Sequence, residues 1–359
     1  MNERVHMLNK ARSGFSLVEL VAVLAITASV GAVLAPATAR MRSTMRGASS
    51  QVNLHTIGQA SAMYAIDNEN RIATFTWRGG ESYIDLATGN PRTASHDAEA
   101  AAMQVRDILY RATGRLTGSR RILLPSSILV HRRYAHLVLA DYTETVGQEL
   151  WAHPDDYNQL LWQQFPLDFT IVPHGQGFIP PGYASVPGGS SSSVKQLWAF
   201  GSSYQTVPHA WMPDFAPTYA PISDTPHLFV TAGGSPHLGD RTQDEVAFPS
   251  AKVFMFGEFD HDQVANPYFA YNHASPDKLM FDGSINTMRS GQAQSSVSPA
   301  DYSFGNTDVW MQRYLPMDTF PLPLGGLGDN TELDMRYRWT LKGLRGIDYF
   351  LLHDGARPR

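Results

Sequence analysis

Two groups of residues have the types and spacing that chemistry requires. The first is one carboxylate, Glu19, the only ionisable side chain between Phe15 and Ala39 in the run FSLVELVAVLAITASVGAVLAPATA. An unpaired carboxylate in an apolar layer costs on the order of 2.5–3.5 kcal/mol on insertion scales, so such a group needs a partner. A cut between Gly14 and Phe15 would create an α-amino group one helical turn from Glu19. The N-terminus of one copy can then neutralise Glu19 of the next, and the charge becomes a register device. The second group is Glu258, Asp260 and Asp262, around His261. Carboxylates at alternating positions suit Ca²⁺ on a loop. A solvated acidic turn after a strand explains the same residues without a ligand. No EF-hand glycine pattern accompanies them, so no cofactor is expected, and Ca²⁺ is the one candidate.

Other catalytic patterns are missing. There are thirteen histidines, but no H-E-x-x-H and no helical His pair beside a carboxylate. His227 and His237 merely flank a glycine-rich turn. G-x-S-x-G and S-x-x-K do not occur where a nucleophile could be held. The glycine-rich stretch Leu324 to Gly328 lacks a phosphate-loop lysine. The absence of cysteine excludes a thiol nucleophile, Cys-ligated zinc, Fe–S clusters and a disulfide scaffold. A net charge of −5 over 359 residues argues against nucleic acid as a partner, because phosphate neutralisation needs a clustered cationic surface. Near the C-terminus, Arg336, Arg338, Lys342 and Arg345 alternate with Tyr337, Trp339 and Leu341, a pattern that suits a polyanion and that an edge strand with a charged face explains equally well. Trp198, Trp211 and Trp310 read as core residues, with a carbohydrate platform as the alternative. An enzyme is not expected.

The elements that would position these groups follow from hydropathy. A helix over residues 15–39 would be roughly 37 Å long, against a hydrocarbon core of about 30 Å, so it reads as a transmembrane half. A plain N-terminal anchor and a secretory signal peptide cut at Ala37-Thr38-Ala39 remain open. Basic residues lie on both sides (Arg4, Lys10, Arg12; Arg40, Arg42, Arg46), so counting them gives no orientation. Residues 40–70 read as an amphipathic continuation with Val52, Ile57, Ala60, Met63, Tyr64 and Ile66 on one stripe. Residues 71–359 read as a β and loop domain with a loop break near 180–193. Within it, a helix is expected over Ala98 to Ala112, capped by Gly114, and another over Tyr134 to Tyr142. Val253 to Phe256 reads as a buried strand. Lys278 to Met288 reads as a hairpin whose Asp282-Gly283 favours a type I′ turn.

The stretch Gly14-Phe15-Ser16-Leu17-Val18-Glu19-Leu20, after the short basic leader 1–14, resembles the class III signal of type IV prepilins and type II secretion pseudopilins. The resemblance implies cleavage after Gly14 by a prepilin peptidase, N-methylation of Phe15, and Glu19 as the assembly residue. Pro36 holds the place of the family's helix-loosening proline, a helix kink. Asn53 to Asn68 is similar to the stems of pseudopilin-like proteins of planctomycete-type bacteria. Shorter likenesses are His153-Pro154-Asp155-Asp156, where His153 replaces a cysteine, Ser202-Ser203-Tyr204, and the hairpin with His273 upstream. The implied fold is α+β and pilin-like: a long N-terminal helix, transmembrane then amphipathic, packed on a mainly antiparallel β domain with long loops. The implied function is a minor or tip-type structural subunit of a secretion pseudopilus or pilus-like filament. It would sit in the inner membrane as a single-pass protein with its C-terminal domain in the periplasm. Partners would be prepilin peptidase, other pilin-type subunits and secreted cargo. The alternative is a membrane-anchored extracytoplasmic module that binds a glycan or cation.

Overall fold

The computed structural model describes residues 16–116, 122, 129–143, 149–156, 159–160, 200–214, 219–221, 230–232, 237–263, 266–297, 309–314 and 331–350; for residues 31, 33–40, 42, 43, 129, 219–221 and 232 only the backbone is described. The Gly14–Phe15 junction, the 180–193 loop, Trp198, His227 and the 324–328 stretch lie outside the described residues. The chain divides into two compact units, residues 1–46 and 47–359. Its class is α+β, with several small antiparallel sheets.

Helix α1, Leu17–Asp67, begins in the first unit and is helical through Pro36. Ser16 and Glu19 start it as a reciprocal cap. The Glu19 N–H donates to Ser16 Oγ at 3.3 Å, and the Ser16 N–H donates to Glu19 Oε2 at 2.9 Å. Two otherwise orphaned backbone donors of the first turn are thereby satisfied. The expected transmembrane half is not found: among the described residues no helix is long and apolar enough to cross a membrane.

In the second unit, α1 buries Leu54, Ile57, Ala60 and Tyr64 in the main core. Their spacing by three and four residues puts them on one face. The face is rotated from the expected stripe, because Val52, Met63 and Ile66 are exposed. Ser50 and Ser61 are buried instead, and Ser50 Oγ lies 3.0 Å from the Tyr204 hydroxyl. The helix stops where Glu69 and Asn70 enter the left-handed region at φ 54° and 62°.

Short elements follow: β1 Ser82–Ile84 with β2 Pro91–Thr93, helix α2 Asp97–Thr113, and helix α3 Leu129–Arg133. His96 caps α2 by accepting the Glu99 N–H on Nδ1, and Gly114 ends it at φ 65°. The helix expected over Tyr134 to Tyr142 is a 3₁₀ helix, Ala135–Tyr142. The central sheet has β3 Tyr204–Thr206, β6 Val253–Gly257, β7 Lys278–Met280 and β8 Ile285–Asn286, in the order β3-β6-β7-β8, all antiparallel. Two further antiparallel pairs are β4 Tyr219–Pro221 with β5 Val230–Ala232, and β9 Met311–Tyr314 with β10 Thr331–Asp334.

The expectation of a mainly β domain is therefore corrected. Described strands have two to five residues, and loops and 3₁₀ turns carry much of the described chain. Side-chain packing takes over the cohesion that long ladders would give. All five residues of β6 are buried, and Phe256 lies 4.7 Å from Phe269 and 5.0 Å from Tyr337, ring to ring. The β7–β8 hairpin forms, but only Gly283 of the Asp-Gly pair has positive φ. The Gly283 N–H bonds to the Met280 carbonyl, and the Met280 N–H to the Ser284 carbonyl. This is the three-residue connection ending in a left-handed glycine, not type I′. The expected C-terminal edge strand is the 3₁₀ turn Arg336–Trp339, and Arg338 is buried.

The end of the described chain is tied to β6 through charge. Lys252 Nζ lies 3.0 Å from Asp348 Oδ2, both side chains fully buried, and Asp348 also accepts the Val253 N–H at 2.8 Å. Breaking a buried pair leaves an uncompensated charge. Asp348→Ala should lower unfolding free energy by about 3–5 kcal/mol in denaturant titration, and adding Lys252→Met should restore part of that loss. An equal loss in both variants would refute the pairing account.

Candidate functional site

The two sequence-level candidates fall in different units. In the first, Glu19 sits at the exposed start of α1. Leu17 and Val18 are more than three-quarters exposed, and Leu20, Val21, Val23, Leu24, Ile26 and Val30 are each at least half exposed. Apolar residues thus surround this part of the helix on every side. Glu19 has a local partner that the sequence reading overlooked. Ser16 donates to Oε2 from both its N–H and its hydroxyl, each at 2.9 Å. The S-x-x-E spacing of Ser16 and Glu19 was the available signal.

In the second unit, the acidic group does not assemble as a metal centre. Glu258 is buried against Arg132 and Arg133. Burial opposes its charge, but Arg133, Arg132 and Arg338 outweigh that and hold its carboxyl below the usual range. Asp260 is also buried. Its Oδ2 accepts from the Ser275 N–H at 2.7 Å and from Gln263 Nε2 at 2.6 Å, and its Oδ1 accepts the Asp262 N–H. Among the described residues no group of three or more His, Asp or Glu is arranged to hold a metal ion. The simple solvated acidic turn is corrected too, since two of the three carboxylates are interior.

What the fold does assemble is a small cleft of about 10 Å³, lined by Ser50, His153, Ser203, Tyr204, Asp260, His261, Asp262 and Asp277 among others. That volume is about one water. The segments 153–156 and 202–204 meet here, and Gln263 links the His273 carbonyl to Asp260 beside them. The His153 N–H donates to Ser203 Oγ at 2.9 Å, Ser203 Oγ donates to Asp156 at 2.8 Å, and the His273 carbonyl accepts from Gln263. The His153 and His261 rings stack at 4.6 Å. α1 closes the cleft at Gly47, where an added methyl would sit 3.2 Å from Asp262 Oδ2. Burial, together with Asp277, Asp260 and Asp155, pushes the Asp262 carboxyl up to about 6. Asp277 is raised as well, chiefly by burial. The arrangement can exchange a proton near pH 6.

A raised acid pKa means that the folded state binds more protons than the unfolded one between about pH 4 and pH 6. Asp262 therefore subtracts stability as pH climbs through that window. Asp262→Asn should be more stable than the parent above pH 6, by on the order of 1 kcal/mol after solvent screening, with the difference vanishing near pH 4. Thermal unfolding of both proteins across that range measures this, and a pH-independent difference would contradict it.

No protein-family model, no curated protein and no solved structure matches this chain.

Proposed function

We propose that this chain is a structural subunit, minor or tip-type, of a type II secretion pseudopilus or a type IV pilus-like filament. Prepilin peptidase at the inner membrane would cut after Gly14 and methylate Phe15, and copies would assemble through α1. The observation that supports this reading is the pairing of a capped helix start with an uncovered apolar surface. The cap at Ser16 lies one residue beyond the new N-terminus, and the residues after it are apolar and exposed on all sides. Exposed apolar area of this extent marks an interaction surface. Like helices from other copies would cover it, with the larger second unit outside the membrane, free to meet other subunits or cargo.

The alternative, an extracytoplasmic binding module carrying a pilin-type leader, draws on one feature of the second unit. A groove of about 460 Å³ lies between α1 and the β7–β8 hairpin, lined by Gly58, Ala62, Ile66, Phe254, Leu279 and Phe281 among others. That size falls within the range of small-molecule sites.

Two measurements separate the readings. The mass of the N-terminal peptide from native membranes should correspond to a chain beginning at N-methylated Phe15; a start at Met1 or Arg40 would sink the assembly reading. Glutamine at position 19 can still complete the cap but carries no charge. Glu19→Gln should therefore keep the fold of the second unit and lose most filament incorporation. Normal incorporation of Glu19→Gln would reduce Glu19 to a capping residue.

A further inference from the structure

Five charged side chains meet where the loop containing His237 passes the N-terminus of α2. The His237 ring lies between two carboxylates, with Nδ1 2.9 Å from Asp97 Oδ2 and Nε2 2.9 Å from Asp240 Oδ2. A neutral imidazole carries one N–H, so it can donate to only one of them. The other nitrogen would then turn a lone pair towards an anion. Only the doubly protonated ring satisfies both.

The neighbouring charges are all engaged. Arg78 Nη2 is 2.6 Å from Asp240 Oδ2, and Arg78 Nη1 is 3.5 Å from Asp97 Oδ2. Arg71 Nη1 is 2.6 Å from Asp240 Oδ1, and its Nη2 is 3.4 Å from Glu69. Glu69, Asp97 and Asp240 give three negative charges, and Arg71 and Arg78 give two positive ones. The set is neutral when His237 is cationic. Burial disfavours the Asp97 charge, but the Gly79 and Leu238 N–H groups, His237 and Arg78 outweigh it and hold its carboxyl below the usual range. Asp240 is likewise lowered against burial, by His237, Arg78 and Arg71.

The loop's backbone needs this support. Gly239 and Asp240 both have positive φ, 88° and 58°. At Gly239 an added methyl would sit 2.9 Å from the Thr74 methyl. The Leu238 N–H donates to Asp97 at 3.0 Å, and the Leu238 carbonyl accepts from Arg78. In the second half of the loop, the Arg241 carbonyl accepts the Ile72 N–H, and the Gln243 N–H donates to the Asn70 carbonyl. The loop therefore braces the point where the chain leaves α1.

We propose that His237 is a proton-operated latch: doubly protonated, it bridges Asp97 and Asp240 and pins the 237–243 loop to the start of α2 and the exit of α1. Loss of a ring proton releases one carboxylate and loosens the loop. The bridge is closed in mild acid and opens as pH rises. Asp97 and Asp240, both held below the usual carboxylate range, keep their charge well into acid. The latch does not depend on the assembly reading.

Hydrogen exchange of the full chain at about pH 5.5 and about pH 8, scaled for intrinsic rates, tests it. Peptides covering 237–243 and the first turn of α2 should exchange about tenfold faster at the higher pH, while β6 stays protected. His237→Gln should show the faster level at both pH values. Equal scaled exchange in the parent at both pH values, or an intact pH response in His237→Gln, would overturn the proposal. Should that variant fail to fold, ring-nitrogen NMR of the parent decides: a doubly protonated His237 in acid that loses a proton by about pH 8 supports the latch, and a singly protonated ring in acid overturns it.

Discussion

Glu258 is a single carboxylate buried with three guanidinium groups around it. Arg132 and Arg133 pair with it directly, Arg132 Nε and Arg338 Nη2 both donate to Gln205 Oε1, and Arg338 Nη1 reaches the Tyr268 hydroxyl at 2.9 Å. Charges removed from water must find partners or the fold loses several kcal/mol for each. Meeting that demand fixes α3, β3, the end of β6 and the Arg336–Trp339 turn against one another. Aromatic faces supply the rest. Arg338 sits 4.4 Å from the centre of the Phe269 ring, and Tyr268 stacks on Tyr314 at 4.5 Å. The planar guanidinium suits this setting, because it stacks on a ring and donates in the ring plane at once.

This polar knot explains how a unit with such short strands holds together. Strands of two to five residues contribute few ladder bonds. Side chains that reach between segments replace them, and most join residues far apart in sequence. Lys278 shows the same pattern. It is buried, donates to the Pro276 and Met288 carbonyls, and lies near the rings of Tyr337 and Tyr349. Burial first of all pulls its amine down to about 7, only partly offset by Asp277 and Asp260. Its charge is thus held by carbonyls and ring faces, and among the described residues no carboxylate pairs with it directly.

Legibility in the sequence followed the range of the interaction. The limits of α2 were readable to within a residue, because apolar period and Gly114 are local signals. The β7–β8 hairpin was readable from Asp282-Gly283, although the sequence could not choose between two turns that both favour a left-handed glycine. The apolar stripe of α1 was misphased. Ile57, Ala60 and Tyr64 are buried as expected, but Val52, Met63 and Ile66 are exposed, and the burial of Ser50, held by Tyr204, and of Ser61 shows that the buried face is turned from the expected stripe. The acidic stretch was misread because the burial of Glu258 is decided by arginines more than a hundred residues earlier. The Arg336 to Arg345 alternation failed for the same reason, since Arg338 turns inward to Gln205 and Tyr268. The His237 bridge needs three segments in place, and no local pattern encodes that.

Glu19 is where local and intermolecular demands fall on one side chain. The cap accounts for its place at the third helical position, where a carboxylate also meets the positive end of the helix dipole. That local role removes the argument that an unpaired charge must seek a neighbour. It does not consume the group. Both described bonds from Ser16 converge on Oε2, and among the described residues no hydrogen bond reaches Oε1. A carboxylate accepts about four bonds, so a second donor fits beside the cap. In the proposed assembly an α-amino group from another copy would take that place. The cap would then be a precondition of register, because it fixes the first turn and so the direction in which the free oxygen is offered. A charge on an uncapped, fraying end would define no register at all.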